Sequence, residues 1–292
     1  MDGAAQQEAM SHTPLLYVTD EGFDAYVYAY PNGKLLQELS INSPTGDCVD
    51  GGSVFITGYN AHQIYLYAHG ASQPKAVLPD PGYPVGCSVD PTTHTLAVAN
   101  EFDRDAGTGN VVLWDANRAA PVPTAIYSGL PFLEPEWCSY DNEGNLFVDG
   151  EDYSERRVSL AELPKGGTTF KTISLDISLG WPPGYLQWDG KHITISVQNV
   201  IYRLSFSGSN ATVVGSTQLP AYWNLQGYSI VGAWGNAKNR KLIATAGESI
   251  GFFSYPSGSG PTRTLIQNYP LDTVVSPAVE KPRTTLRSEQ HI

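Results

Sequence analysis

Apolar and polar residues alternate with a period of two along short stretches of this chain, and the stretches recur. One set reads LLYVTD from Leu15, SVFITGYN from Ser53, TLAVANEFD from Thr95, NLFVDGED from Asn145, HITISVQN from His192 and KLIATAGE from Lys241. A second set follows it member by member: AYVYAYP from Ala25, QIYLYAH from Gln63, NVVLWD from Asn110, RVSLAELP from Arg157, VIYRLSF from Val200 and IGFFSYP from Ile250. β-Branched and aromatic residues dominate both sets, as expected of a pleated, half-buried surface. Turns after the second set carry Gly33, Gly70, Gly166, Gly208 and Gly258, with Asn117-Arg118 in the third unit. Glycine supplies the positive φ that tight hairpins need.

A further strand precedes each pair: GDCVD from Gly46, GCSVD from Gly86, WCSYD from Trp137, YLQWD from Tyr185 and GYSIV from Gly227. The first unit lacks one and starts directly at its second strand. The missing strand is expected in LDTVVSP from Leu271, after the last complete unit. The C-terminal strand then completes the N-terminal unit, which closes a ring and leaves no free sheet edge. The repeat averages about 45 residues, the spacing of propeller blades. The expected fold is all-β: a six-bladed β-propeller of four-stranded antiparallel blades over residues 14–278. Residues 1–13 are expected to be flexible and 279–292 to form a polar tail.

Blades such as SPTGDCVDGGSVFITGYNAHQIYLYAHG, from Ser43, resemble NHL-repeat and SMP-30/gluconolactonase-like six-bladed propellers. The resemblance covers nearly the whole chain and is nearest to secreted bacterial NHL-type proteins without an assigned activity. Resemblance to the lactonases implies a divalent metal at the channel mouth, held by an acidic residue and asparagines that precede the inner strands as Asn-Gly. Such an ion polarises a lactone carbonyl and activates water. The matching positions here read Thr45-Gly46, Val85-Gly86, Glu136-Trp137 and Pro183-Gly184, so Glu136 alone is of the ligating type.

Composition narrows the partners. The formal net charge of -12 argues against nucleic acid, because phosphates need a basic surface. It suits neutral, cationic or metal-ion ligands. No apolar run is long enough to cross a bilayer. The opening MDGAAQQEAMSHTP lacks the basic and apolar regions of a signal peptide. A mature extracytoplasmic or secreted monomer is expected, with the cytoplasm as the alternative location.

Nucleophilic chemistry finds little support. Ser88 does not sit in a G-x-S-x-G elbow, and His94 lies six residues from Ser88 in the turn DPTTH. Asp50, Asp90, Asp141 and Asp189 each precede a turn, where aspartate binds the following backbone. Three cysteines allow at most one disulfide. Cys87 and Cys138 share one repeat position, and Cys48 is one residue out of that register. Packed thiols are expected, a Cys87–Cys138 bridge being the alternative.

Two families of loops share one face of a propeller and frame its channel. Here they bring aromatics (Tyr83, Trp137, Trp181, Tyr185, Trp223 and Tyr228) towards polar groups (Glu21, Asn60, His62, Glu101 and Glu151). Such a mouth suits sugars, amines, quaternary ammonium groups or a peptide. The loop NEFDRDAGTGN, from Asn100, adds Asp103 and Asp105 as weak candidates for a calcium ion. The sequence assigns no cofactor, and a divalent cation such as calcium is the candidate one. The expected function is an extracytoplasmic binding module. The alternatives are a metal-dependent hydrolase or lactonase using Glu136, and a scaffold with no small-molecule site.

Overall fold

Wherever the period-two pattern is strongest, the chain is strand. A computed structural model describes residues 10, 12–20, 24–105, 107–118, 121–152, 157–180, 184–221, 232–236, 238, 240–246, 249–266 and 274–280. The first strands are β1 (Leu15–Asp20), β2 (Ala25–Ala29) and β3 (Lys34–Leu39). Next come β4 (Pro44–Asp50), β5 (Ser53–Gly58), β6 (Gln63–Ala68) and β7 (Ala76–Pro79). They are followed by β8 (Gly82–Val89), β9 (Thr95–Asp103), β10 (Asn110–Asp115) and β11 (Pro123–Ser128). The middle of the chain forms β12 (Glu134–Tyr140), β13 (Leu146–Asp152), β14 (Arg157–Leu163) and β15 (Lys171–Leu175). Then come β16 (Leu186–Trp188), β17 (Ile193–Val197), β18 (Val200–Ser207) and β19 (Asn210–Gln218). The last are β20 (Gly232–Asn236), β21 (Lys241–Ala246), β22 (Ser249–Ser254), β23 (Gly258–Ile266) and β24 (Val274–Glu280).

Four sheets are four-stranded meanders: β4–β7, β8–β11, β20–β23, and β1–β3 with β24 added beside β1. The fifth joins the meanders β12–β15 and β16–β19 through a short parallel ladder, Ser174 to Asn210 and Leu175 to Ala211. β24 pairs antiparallel with β1, from Leu15 opposite Glu280 to Asp20 opposite Val274. The innermost strands touch in a closed circuit: β24, β4, β8, β12, β16, β20 and back to β24.

One inner strand departs from expectation. GYSIV lies outside the described residues, and β20 begins instead at Gly232. Hairpin length explains the shift. In two other units the inner strand or its closing aspartate stops within a few residues of the second strand, as Asp50 does opposite Ser53 and Asp189 before His192. An inner strand ending at residue 231 would leave nine residues before Lys241. The turn aspartates behave as expected. Asp90 accepts from Thr92 N (2.7 Å), Asp141 from Glu143 N (2.8 Å) and Asp189 from Lys191 N (2.8 Å). Asp50 instead meets His94 Nδ1 at 2.7 Å, which ties two neighbouring turns together.

The cysteines correct the sequence-based expectation. Cys48 and Cys87 form a disulfide with Cα atoms 5.7 Å apart, within ordinary bridging range, and Cys138 is a buried free thiol. The strand registers give the reason. Cys48 pairs with Phe55, Ser88 with Ala97 and Ser139 with Phe147, so these three share one repeat position. That position faces the next inner strand: Ser88 Oγ accepts from Tyr140 N (3.0 Å) and Ser139 Oγ from Trp188 N (2.8 Å). Cys48 points the same way and finds Cys87. Cys138 would need a cysteine at position 88 and finds Ser88.

Small residues bring these strands together. A Cβ on Gly86 would lie 2.8 Å from Glu136 O and Trp137 Cα, and one on Gly46 would overlap Val85 O. Packing between sheets is apolar. Leu15, Tyr17 and Val27 of the first sheet bury against Val54, Ile56 and Tyr67 of the second.

The bridge makes a direct prediction. In denaturant without reductant the protein should titrate one thiol, Cys138, and after reduction three. Three thiols before reduction would disprove the bridge. With the cysteines separated by 39 positions in sequence, the Cys48→Ser, Cys87→Ser pair should lose about 4 kcal/mol or less of unfolding free energy on chain-entropy grounds.

Candidate functional site

The second strands place equivalent residues beside the start of each inner strand, at the end where the mouth loops gather. In the first two units the residue is threonine. Thr19 Oγ1 donates to Thr45 O (2.6 Å), and Thr57 Oγ1 donates to Val85 O (2.7 Å) while accepting from Gly46 N (2.7 Å). In β13 the residue is Asp149. Its Oδ1 takes the same backbone partner, accepting from Trp137 N at 2.9 Å. Its Oδ2 is buried with no hydrogen-bond partner among the described residues. The side chain is 0% exposed. Burial pushes its carboxyl well above the ordinary range, and the Trp137 N–H offsets this only in part. Burial thus favours the protonated form of Asp149.

Glu136, at the start of β12, keeps slight solvent contact but is enclosed by protein. Burial raises its carboxyl well above the usual range, and the charge of Asp149, a hydrogen bond to Glu151 and the charges of Glu151 and Glu101 raise it further. Glu136 thus lies within electrostatic reach of three other carboxyls, and burial with these neighbours favours its protonated form.

An aromatic wall stands beside the acids. Tyr59 Oη donates to Glu101 Oε2 at 2.5 Å. Tyr83 packs on Tyr59 with centroids 5.2 Å apart, on His62 edge-on at 4.2 Å and on Phe102 at 6.4 Å. His62 Nδ1 donates to Gly82 O (2.7 Å), since a carbonyl only accepts. Asp80, buried beneath this wall, accepts from Gly82 N (2.9 Å), and burial pushes its carboxyl up to about 6.

The candidates from sequence divide. Tyr83, His62, Glu101, Glu136 and Glu151 lie at this mouth. Asn60 is exposed at its rim and donates to Ser43 Oγ (3.1 Å). Trp137 and Tyr185 are buried at 4% and 8% exposure and stack on each other 4.8 Å apart, so they are mainly packing residues. Glu21, Trp181, Trp223 and Tyr228 lie outside the described residues. Asp103 spends both oxygens within its own loop, accepting from Asp105 N (2.8 Å) and Asn110 Nδ2 (2.8 Å). Asp105 is exposed. Among the described residues no three acidic, histidine or cysteine side chains are arranged to hold a metal, so Glu136, Asp103 and Asp105 are not brought together as ligands.

Asp149, Tyr59, Phe102 and Asp80 were not among the candidates from sequence. Asp149 carried a signal, since an aspartate stands where the aligned strands have Thr19, Thr57, Ala99, Ser196 and Thr245.

No family model matches this chain, and no curated protein does. Solved structures do. A chain in the crystal structure of a nidogen/laminin complex is 12% identical, with 92% of this chain and 99% of that one covered and a TM-score of 0.65. A protein of unknown function from Bacteroides caccae is 9% identical over 91% of this chain and 98% of that one, with a TM-score of 0.65. A functionally unknown protein from Desulfotomaculum acetoxidans DSM 771 is 9% identical over 92% and 99%, with a TM-score of 0.61. The fold is a β-propeller. At these identities the likeness carries no activity across.

The acid cluster predicts a pH dependence. Asp149 and Glu136 hold protons in the folded state that the unfolded chain releases above about pH 4. Their contribution to stability is therefore full below that value and is lost as pH rises through the raised native values. Each pH unit in that window removes about 1.4 kcal/mol per fully titrating carboxyl. Thermal melts from pH 4 to 9 should show this fall, flattened in Asp149→Asn with Glu136→Gln. An unchanged slope in the double variant would show that both groups ionise normally.

Proposed function

We propose that this chain is a six-bladed propeller of NHL/SMP-30-like kind that works outside the cytoplasm as a binding module, its mouth taking a small organic cation. The eight-stranded sheet counts as two blades bridged by the β15–β19 ladder, which supports the blade number. The Cys48–Cys87 bridge suits an oxidising compartment. One observation carries the ligand class: Glu136 lies within electrostatic reach of Asp149, Glu151 and Glu101, and Glu101 is hydrogen-bonded to Tyr59 of the Tyr59–Tyr83 wall. A bound cation replaces the retained protons and relieves the repulsion, and aromatic faces favour ammonium groups. A neutral sugar gains only the hydrogen bonds.

Calorimetric titration with choline, putrescine and glucose tests this. An amine or quaternary ammonium should bind, glucose should not, and binding should release protons, seen as a heat that depends on the buffer. Because the ligand selects the ionised cluster, affinity should rise with pH and fall in acid. Glu136→Gln should weaken binding about tenfold or more. Cation affinity unaffected by pH and by this substitution would refute the proposal. Lactone turnover with added calcium, abolished by Glu136→Gln, would favour the hydrolase.

A further inference from the structure

A second cleft lies at the seam where the last sheet meets the first, and its charge is opposite. It has a volume of about 320 Å³ and is lined by Tyr30 and Pro31 after β2, Arg240 and Lys241 at the start of β21, and Arg263 of β23. Leu242 and Phe253 form a buried apolar floor, and Ser254 and Thr262 add hydroxyls. No carboxylate is among the residues lining it. The chain has 29 acidic residues against 17 Lys and Arg, so potential partners for these cations are abundant. None of the three is ion-paired among the described residues.

The cations are also held in place. Arg263 Nη1 donates to Pro31 O at 2.9 Å, and its guanidinium lies 5.9 Å from the Phe252 ring centre. Gly33 makes room for it: a Cβ there would lie 3.1 Å from Arg263 Nη2 and 2.7 Å from Leu265 Cδ2. Lys241 Nζ sits 5.4 Å from the centre of the Tyr30 ring. Arg240 has a left-handed backbone (φ 53°), and its carbonyl accepts from Tyr255 N (3.0 Å), so its backbone is pinned while its side chain is exposed. A simple clasp between first and last sheets would need Arg263 alone. Two further cations at the same cleft, neither with a carboxylate partner among the described residues, mean that repulsion is tolerated where an anion would relieve it.

We propose that this seam cleft binds the phosphate or sulfate ester of a small molecule. Guanidinium forks match the tetrahedral oxyanion, Lys241 adds a point charge, and the apolar floor receives a carbon skeleton. The volume is at the small end of ligand clefts, which fits a single substituted sugar ring or its equivalent. The site is independent of the acidic mouth. Arg240 and Lys241 stand at one end of β21, and the mouth lies at the other.

Calorimetry of the full chain at low salt with glucose 6-phosphate, glucose 6-sulfate and glucose decides the matter. One or both esters should bind saturably, glucose should not, and added salt should weaken binding. Preference between the esters tells phosphate chemistry from sulfate chemistry. Arg240→Gln with Lys241→Gln should raise Kd about tenfold or more with the melting temperature nearly unchanged. Arg263→Gln should lose binding and also lower the melting temperature, because its clasp goes with it. Binding of neither ester overturns the proposal, and so does an affinity that the Arg240/Lys241 double variant leaves intact.

Discussion

The ladder that ties Leu15–Asp20 to Val274–Glu280 joins the two ends of the chain, and three consequences depend on it. It gives β1 a partner and so removes an open edge. It supplies β24 as the neighbour that β4 and β20 share. It also brings the turn after β2 against β23, where Arg263 reaches Pro31 across 232 residues of sequence. A lone meander of four strands buries one face poorly. The circuit of inner strands is what turns each unit's strand ends into parts of one mouth.

Within that circuit a single repeat position does different jobs. At Cys48 it is covalent, and at Ser88 and Ser139 it is a hydrogen bond to the next strand's backbone. The position aligned with Gly46 and Gly86 changes more sharply. Glycine there lets β4, β8 and β12 approach closely, whereas Trp137 of β12 and Tyr185, just before β16, fill the space with two tilted rings in contact. The acid cluster sits beside this change. Glu136 precedes Trp137 in β12, and Asp149 holds the Trp137 amide. Bulk at position 137 and carboxyls at 136 and 149 are thus one local departure from the glycines and threonines of the first two inner-strand seams.

Architecture was more legible in the sequence than chemistry. Short runs of β-branched and aromatic residues placed the second and third strands, because burial on both sheet faces favours such residues at successive positions. The closing strand was legible because one inner strand was missing. Cysteine pairing was not, since it depends on which way a side chain points between neighbouring strands, and a one-residue offset reverses that direction. Trp137 and Tyr185 looked like exposed anchors because loop position says where a residue starts, while packing decides where its ring goes. Asp149 escaped notice because a strand residue in an apolar run reads as core. Only comparison with the threonines at the aligned positions reveals it as a buried acid.

Charge carries information where it is left unbalanced. Two short contacts elsewhere on the surface set a contrast: Arg118 Nε meets Asp115 Oδ2 at 2.9 Å, and His94 Nδ1 meets Asp50 Oδ2 at 2.7 Å. Those pairs are exposed, screened and worth little, and they imply no ligand. The mouth and the seam break the pattern in opposite senses. At the mouth, burial and neighbouring carboxyls favour the protonated forms of Glu136 and Asp149. At the seam arginine cannot release a proton, so its charge can be relieved only from outside. Burial and repulsion can silence the acids, whereas the seam cations lean on ring faces and a backbone carbonyl, contacts that hold them in place without neutralising their charge.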